Sequence, residues 1–238
     1  MKKLNISRLT IQIVSIALSI YGLDIAPVWA IIILTITFGA YDCGWVCAFG
    51  SIQEFIRKFG KKVIKKTISI PRKIDRYLLY IRYITFFVSL GYIIELLDGR
   101  RTLSAIVSGK DVNLPFIIIM LSFLLISLFI DRPFCKYICP KGATYGLFGM
   151  ARLFMINRNK ENCINCKLCT KNCQMGIDVA NNDRIAEPHC ISCGLCIESC
   201  PKKGALYLKI RQFNKPTNLV LFIMGIYAGY RMIMNALQ

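Results

Sequence analysis

The chain has 238 residues, 55% of them hydrophobic, with 31 Lys and Arg against 13 Asp and Glu, a formal net charge of +18 and a mean hydropathy of +0.50. That is too apolar for a soluble domain built round one core, and it predicts a membrane protein. The positive charge sits in blocks between apolar runs, with no helix-turn-helix or RNA-binding signature beside it, which argues against a nucleic-acid partner.

In chain order, Met1-Lys2-Lys3 opens an apolar segment from about Leu9 to Leu23. It has no small-residue cleavage site before the next run begins at Pro27, so it reads as a retained anchor. A second apolar segment runs from Val28 to Tyr41, with a continuation toward Phe49. Both lie near the lower limit for a span, which needs about 20 helical residues. From Arg57 to Arg76 nine basic residues face only Asp75, interleaved with Phe55, Phe59, Val63, Ile64 and Ile68. That pattern suits an amphipathic helix on anionic lipid, or an ordinary solvated loop.

A third span is predicted over Leu78 to Leu97, with Arg82 snorkelling at its inner end. A fourth covers Leu114 to Ile130 and a fifth Leu219 to Ala236. The expected fold is therefore an α-helical membrane protein of about five transmembrane helices carrying a small α+β ferredoxin-like domain. Its parts are a four-span domain at 1–156, a double-cluster domain at 157–215 and a terminal helix at 216–238. Positive-inside bias places the basic loop and the ferredoxin block in the cytoplasm, with the chain in the cell membrane.

Eight of the twelve cysteines form two runs. One is Cys163-x-x-Cys166-x-x-Cys169-x-x-x-Cys173 and the other Cys190-x-x-Cys193-x-x-Cys196-x-x-x-Cys200-Pro201. This is bacterial ferredoxin spacing, in which three close thiolates cap one cube and the fourth ligates the other cluster. The expected ligand sets are Cys163, Cys166, Cys169 and Cys200 for one [4Fe–4S] cluster, and Cys190, Cys193, Cys196 and Cys173 for the second. Zinc would need one tetrahedral set from two separated pairs. Disulfides would need an oxidising compartment.

The remaining four cysteines are Cys43, Cys47, Cys135 and Cys139. They form two C-x3-C pairs offset by the same 92 positions, each ending an apolar run, so the two halves read as a weak direct repeat. Residues i and i+4 share a helix face. If the two span ends meet, four thiolates converge at the membrane boundary as a third iron–sulfur site of undetermined type. Redox-active dithiols and simple packing residues stay open as alternatives. The lone His189 reads as a loop residue. Lys141-Gly142-Ala143-Thr144 echoes a flavin-attachment sequence without its first hydroxyl residue, and reads as a turn into a helix.

Together Cys43-Gly44-Trp45-Val46-Cys47, Arg132-Pro133-Phe134-Cys135-Lys136-Tyr137-Ile138-Cys139-Pro140 and the eight ferredoxin cysteines resemble the NapH/NosR-like membrane ferredoxin family. Two local departures are Ala48 and Gln174, each where the pattern usually has proline. The resemblance implies an electron-transfer subunit rather than a catalyst, relaying electrons between a cytoplasmic donor or the quinol pool and a flavin-binding or reductase partner. A quinol dehydrogenase component and a membrane redox sensor are the alternative readings. Membrane lipid and quinone complete the expected partners. Lys202, Lys203, Lys209 and Arg211 would suit an acidic donor, or anionic lipid.

Overall fold

The structure is a computed structural model. It describes residues 2–20, 28–64, 70–89, 114–150 and 152–211, with positions 103, 105, 106 and 109 between them. The predicted fifth span and most of the 98–113 loop lie outside the described residues.

The elements in order are α1 (Lys2–Ile20), α2 (Val28–Phe38), α3 (Tyr41–Trp45), α4 (Ala48–Val63), α5 (Arg72–Ser89), α6 (Leu114–Ile126), α7 (Pro133–Tyr137) and α8 (Pro140–Gly149), then β1 (Phe154–Arg158), α9 (Leu168–Lys171), β2 (Arg184–Ile185), α10 (Leu195–Glu198) and β3 (Leu206–Ile210). The repeat is visible in them. In each half a helix of apolar residues breaks, a five-residue helix carries the first cysteine at its third position, and the second cysteine immediately precedes the next helix.

The membrane-spanning fold is not what these elements build. Among the described residues no helix is long and apolar enough to cross a membrane. α2 has 11 residues and α6 has 13. At 1.5 Å per residue they reach about 17 and 20 Å, well short of a hydrocarbon core of about 30 Å. The reason is backbone geometry that hydropathy does not register. Gly39 turns left-handed (φ 81°) straight after α2, and Arg132 (φ 48°) does so before α7. α5 starts earlier than the expected third span and carries Arg72, Lys73, Asp75, Arg76 and Arg82. α1 is long enough at 19 residues. However, it carries Lys2, Lys3 and Arg8, and its buried stripe is polar: Arg8, Gln12, Ser15 and Ser19.

Contacts divide the chain into two compact units. One comprises Met1–Leu9, Ala26–Gly44 and Tyr145–Gln238. Its sheet has the order β2-β1-β3, antiparallel throughout, with Ile156 opposite Ile185 and Leu208. Ile156, Met175, Ile177, Val179, Ile185 and Leu206 form its core together with Cys169 and Cys196. α2 attaches to β1 through the bond from the Leu153 amide to the Ile36 carbonyl and through the stacked rings of Phe38 and Phe154, 5.0 Å apart. Such ring pairs contribute about 0.5–1.5 kcal/mol beyond area burial.

The other unit comprises Thr10–Ile25 and Trp45–Thr144. Phe49, Met120 and Phe134 centre its apolar core, with Phe134 edge-on to both Phe49 and Phe123. Around that core lies a shell of buried ionic groups. Arg132 pairs with Glu54 at 2.6 Å, both almost fully buried, and Gln12 donates to the same carboxylate. Lys136 and Tyr137 both bond Asp75. Arg57 donates to the Leu128 carbonyl at 2.7 Å. Removing one member of such a pair strands a buried charge at a cost of about 3–5 kcal/mol. Two expectations change here. Arg82 does not snorkel; it is buried and donates to the Gly142 carbonyl. Arg57, expected among surface basic residues, is buried as well.

Candidate functional site

The ferredoxin runs fold as two matching loops. In each, the residue two places after the first cysteine and the residue four places after it are left-handed: Asn165 and Lys167 in one, Ser192 and Gly194 in the other. Glycine adopts this conformation freely, whereas other residues held there cost about 1–3 kcal/mol each. These left-handed residues turn the backbone twice within each Cys-x-x-Cys-x-x-Cys stretch. A short helix follows each loop, α9 or α10, with the third cysteine at its second position.

The thiols sort into the crossed sets. Cys163, Cys166, Cys169 and Cys200 line one small pocket, together with Arg158, Lys167 and Lys202. Burial pushes the Cys173 thiol up to about 12, with Cys193 and Cys190 adding repulsion. Cys196 is raised by burial and by Cys193, Cys190 and Cys173. These four thiols therefore feel one another as a group. Burial also raises Cys169. Buried thiols of this kind resist ionisation in isolation, and positive iron is what would hold them as thiolates.

The donor set fits sulfur clusters. Among the described residues no group of three or more His, Cys, Asp or Glu is placed to hold a single metal ion. N–H groups also point at sulfur, as a thiolate acceptor requires. Arg158 lies 3.9 Å from Cys163 Sγ, Gln53 Nε2 3.5 Å from Cys135 Sγ, and the Gly142 amide 3.3 Å from Cys139 Sγ.

The two loops differ in cover. Asn162 and the residues from Ile164 to Leu168 are all exposed, whereas no residue from Cys190 to Cys200 is. The α2–α3 corner lies over the second loop. Ser192 Oγ donates to the Phe38 carbonyl. A Cβ on Gly44 would run into the Ile191 carbonyl oxygen and sit 3.4 Å from Cys193 Cα. Glycine is needed there for the close approach. A Cβ on Gly39 would meet Ser192 Oγ at 3.3 Å.

The second cysteine set is distributed. Cys47, Cys135 and Cys139 pack on the Phe49, Met120 and Phe134 core. Burial raises Cys135, and Cys47 and Cys139 add to the shift; Arg132 and the Gln53 bond oppose it. Cys43 packs instead on the core of the ferredoxin unit, which Cys190 and Cys193 also flank. Lys141-Gly142-Ala143-Thr144 forms the first turn of α8, with the Thr144 hydroxyl bonded to the Pro140 carbonyl. Gln53, Gly44 and the Glu54–Arg132 pair escaped the sequence reading. Of the polar residues, Gln53 and Glu54 lie on amphipathic α4, whereas Arg132 precedes α7 in a left-handed conformation.

Comparison with known proteins matches these features. A family described as a 4Fe-4S binding domain matches residues 25–67 and 112–159, the two repeat halves. A 4Fe-4S dicluster domain matches residues 155–201. The chain is thus an iron–sulfur protein of the ferredoxin type. Among its relatives is the uncharacterized protein MJ0750 of Methanocaldococcus jannaschii, 32% identical over 66% of this chain and 68% of the relative. The protein YccM of Escherichia coli, whose name assigns it to electron transport, is 28% identical over 88% of this chain and 65% of its own. The regulatory protein NosR of Pseudomonas aeruginosa is 29% identical over 56% of this chain and 20% of its own. This chain belongs to the NapH/NosR-like ferredoxin-type family of electron transport proteins. It spans about two thirds of the length of the first two relatives. No solved structure matches it.

Proposed function

We propose that this protein is an electron relay. It would bind two [4Fe–4S] clusters, one on Cys163, Cys166, Cys169 and Cys200 and one on Cys190, Cys193, Cys196 and Cys173. A third iron–sulfur site would lie at Cys47, Cys135 and Cys139. Each cluster supplies a one-electron couple at a potential set by its surroundings. The protein's own work is to hold the thiolates, exclude water and aim donors at sulfur. Arg158 offers a charged N–H to Cys163, and the α2–α3 corner keeps solvent from the second loop. Partners would be other redox proteins, with a flavin-binding protein or a reductase as the acceptor.

The observation that carries this reading is the crossed grouping of the thiols, Cys200 with the first run and Cys173 with the second. That arrangement is what two neighbouring cubes require and what a zinc ribbon does not. Single Cys→Ser variants test it by low-temperature EPR of the dithionite-reduced protein. Cys163→Ser and Cys200→Ser should lose the same cluster signal, and Cys196→Ser and Cys173→Ser the other. Loss of different signals in Cys163→Ser and Cys200→Ser would overturn the ligand sets.

A further inference from the structure

We propose that the face around the Cys163–Cys169 loop is the port where this protein exchanges electrons with a partner, and that the partner is an acidic one-electron carrier protein. The proposal rests on the relay reading and adds its point of entry.

Exposure comes first. Electron transfer needs close approach, and the two loops offer unequal access. Cys166 is exposed, with Ile164 at 57% and Leu168 at 39% on either side. The second loop lies beneath the α2–α3 corner, fixed by the Ser192–Phe38 bond and the Gly44 approach. A soluble partner therefore reaches the first thiol set and not the second.

Charge decides the kind of partner. In segments 161–171 and 200–204 the cations are Lys167, Lys171, Lys202 and Lys203, all exposed, and the carboxylates on the surface reduce to Glu161. Nearby Asp183 is already engaged by Lys160 at 2.7 Å and Arg158 at 3.1 Å. The face is thus a small apolar tip, Ile164, Cys166 and Leu168, inside a basic rim. An apolar centre with a charged rim is the anatomy of a transient interface, and its sign attracts an acidic surface. Arg211 takes no part in it; it is buried and donates to the Met150 carbonyl. In the exchange one electron leaves the carrier's reduced centre and one enters the first iron–sulfur centre. No bond forms or breaks and no proton need move.

The test is stopped-flow reduction of the anaerobically purified protein by flavodoxin hydroquinone, used as an acidic protein probe. The rate should fall by roughly tenfold or more as salt rises from about 0.05 to 0.5 M. The Lys202→Glu/Lys203→Glu variant should lose a similar factor at low salt. Lys62→Glu, a single charge reversal on α4 and so half the charge change at a site off the port, should stay near wild type. Iron content and EPR signals serve as the check that each variant is loaded. A loaded Lys202→Glu/Lys203→Glu protein reduced at the wild-type rate, or a rate insensitive to salt, overturns the port. Absence of any reducible iron–sulfur signal in the wild type would instead overturn the relay reading beneath it.

Discussion

Cys135 shows what the surroundings of one thiol can do. It is partly buried against the apolar core of its unit, and burial disfavours its charged form. Two groups work the other way: the Arg132 charge and the Gln53 amide, fully buried, with Nε2 3.5 Å from the sulfur. Hydrogen bonds to ligand sulfur raise the potential of an iron–sulfur site, because they favour the more negative, reduced state. Gln53→Leu keeps most of the volume and removes the donor. Potentiometry followed by EPR should then show one signal moved to lower potential and the two ferredoxin signals unmoved. All three midpoints unchanged would show that Gln53 does not act on the site. The spacing of the twelve cysteines is visible in the sequence because spacing is a local property; that Cys43 packs on a different core from Cys47, Cys135 and Cys139 is not. Nor is the role of Gln53, since what makes it matter is a contact 82 positions away.

At the scale of elements, the repeat was legible and its lengths were not. Hydropathy over a window of some twenty residues sums side chains and passes over the backbone. It cannot see that Gly39 and Arg132 turn left-handed and split each apolar run into a short helix, a five-residue helix and a cysteine before the next. Nor could it see that α3 docks on the second ferredoxin loop. That docking depends on Gly44 having no side chain. Gly44→Ala should force the backbones apart, at a cost of about 1–3 kcal/mol. The signal lost in Cys196→Ser should broaden or disappear in Gly44→Ala, while the signal lost in Cys163→Ser survives. Wild-type spectra for both would mean that α3 does not shape that loop.

For the whole molecule, composition pointed to a membrane protein and cysteine spacing to ligated iron, and the family match bears out the iron–sulfur part. The membrane-spanning architecture read from the same composition fails among the described residues. Buried ionic groups explain part of the difference. Arg8, Arg57, Arg82, Arg132 and Arg152 are among the largest fully buried side chains. A linear reading assigns such residues to loops and interfaces. In the fold Arg57, Arg82, Arg132 and Arg152 satisfy backbone carbonyls and carboxylates inside their own units, as the bond from Arg152 to the Ile185 carbonyl does. The grouping of residues 26–44 with the ferredoxin stretch is also a property of three dimensions, invisible along the chain.

The central claim is that all three thiol groups hold iron–sulfur centres. Iron and acid-labile sulfide per chain, measured on anaerobically purified protein, test it most directly. Two cubes alone account for about eight irons. The account predicts a clear excess over eight in the wild type and a return to about eight in Cys135→Ser. A wild-type value of about eight, unchanged in Cys135→Ser, would contradict it and leave Cys47, Cys135 and Cys139 as packing residues or dithiols around an ordinary two-cluster ferredoxin.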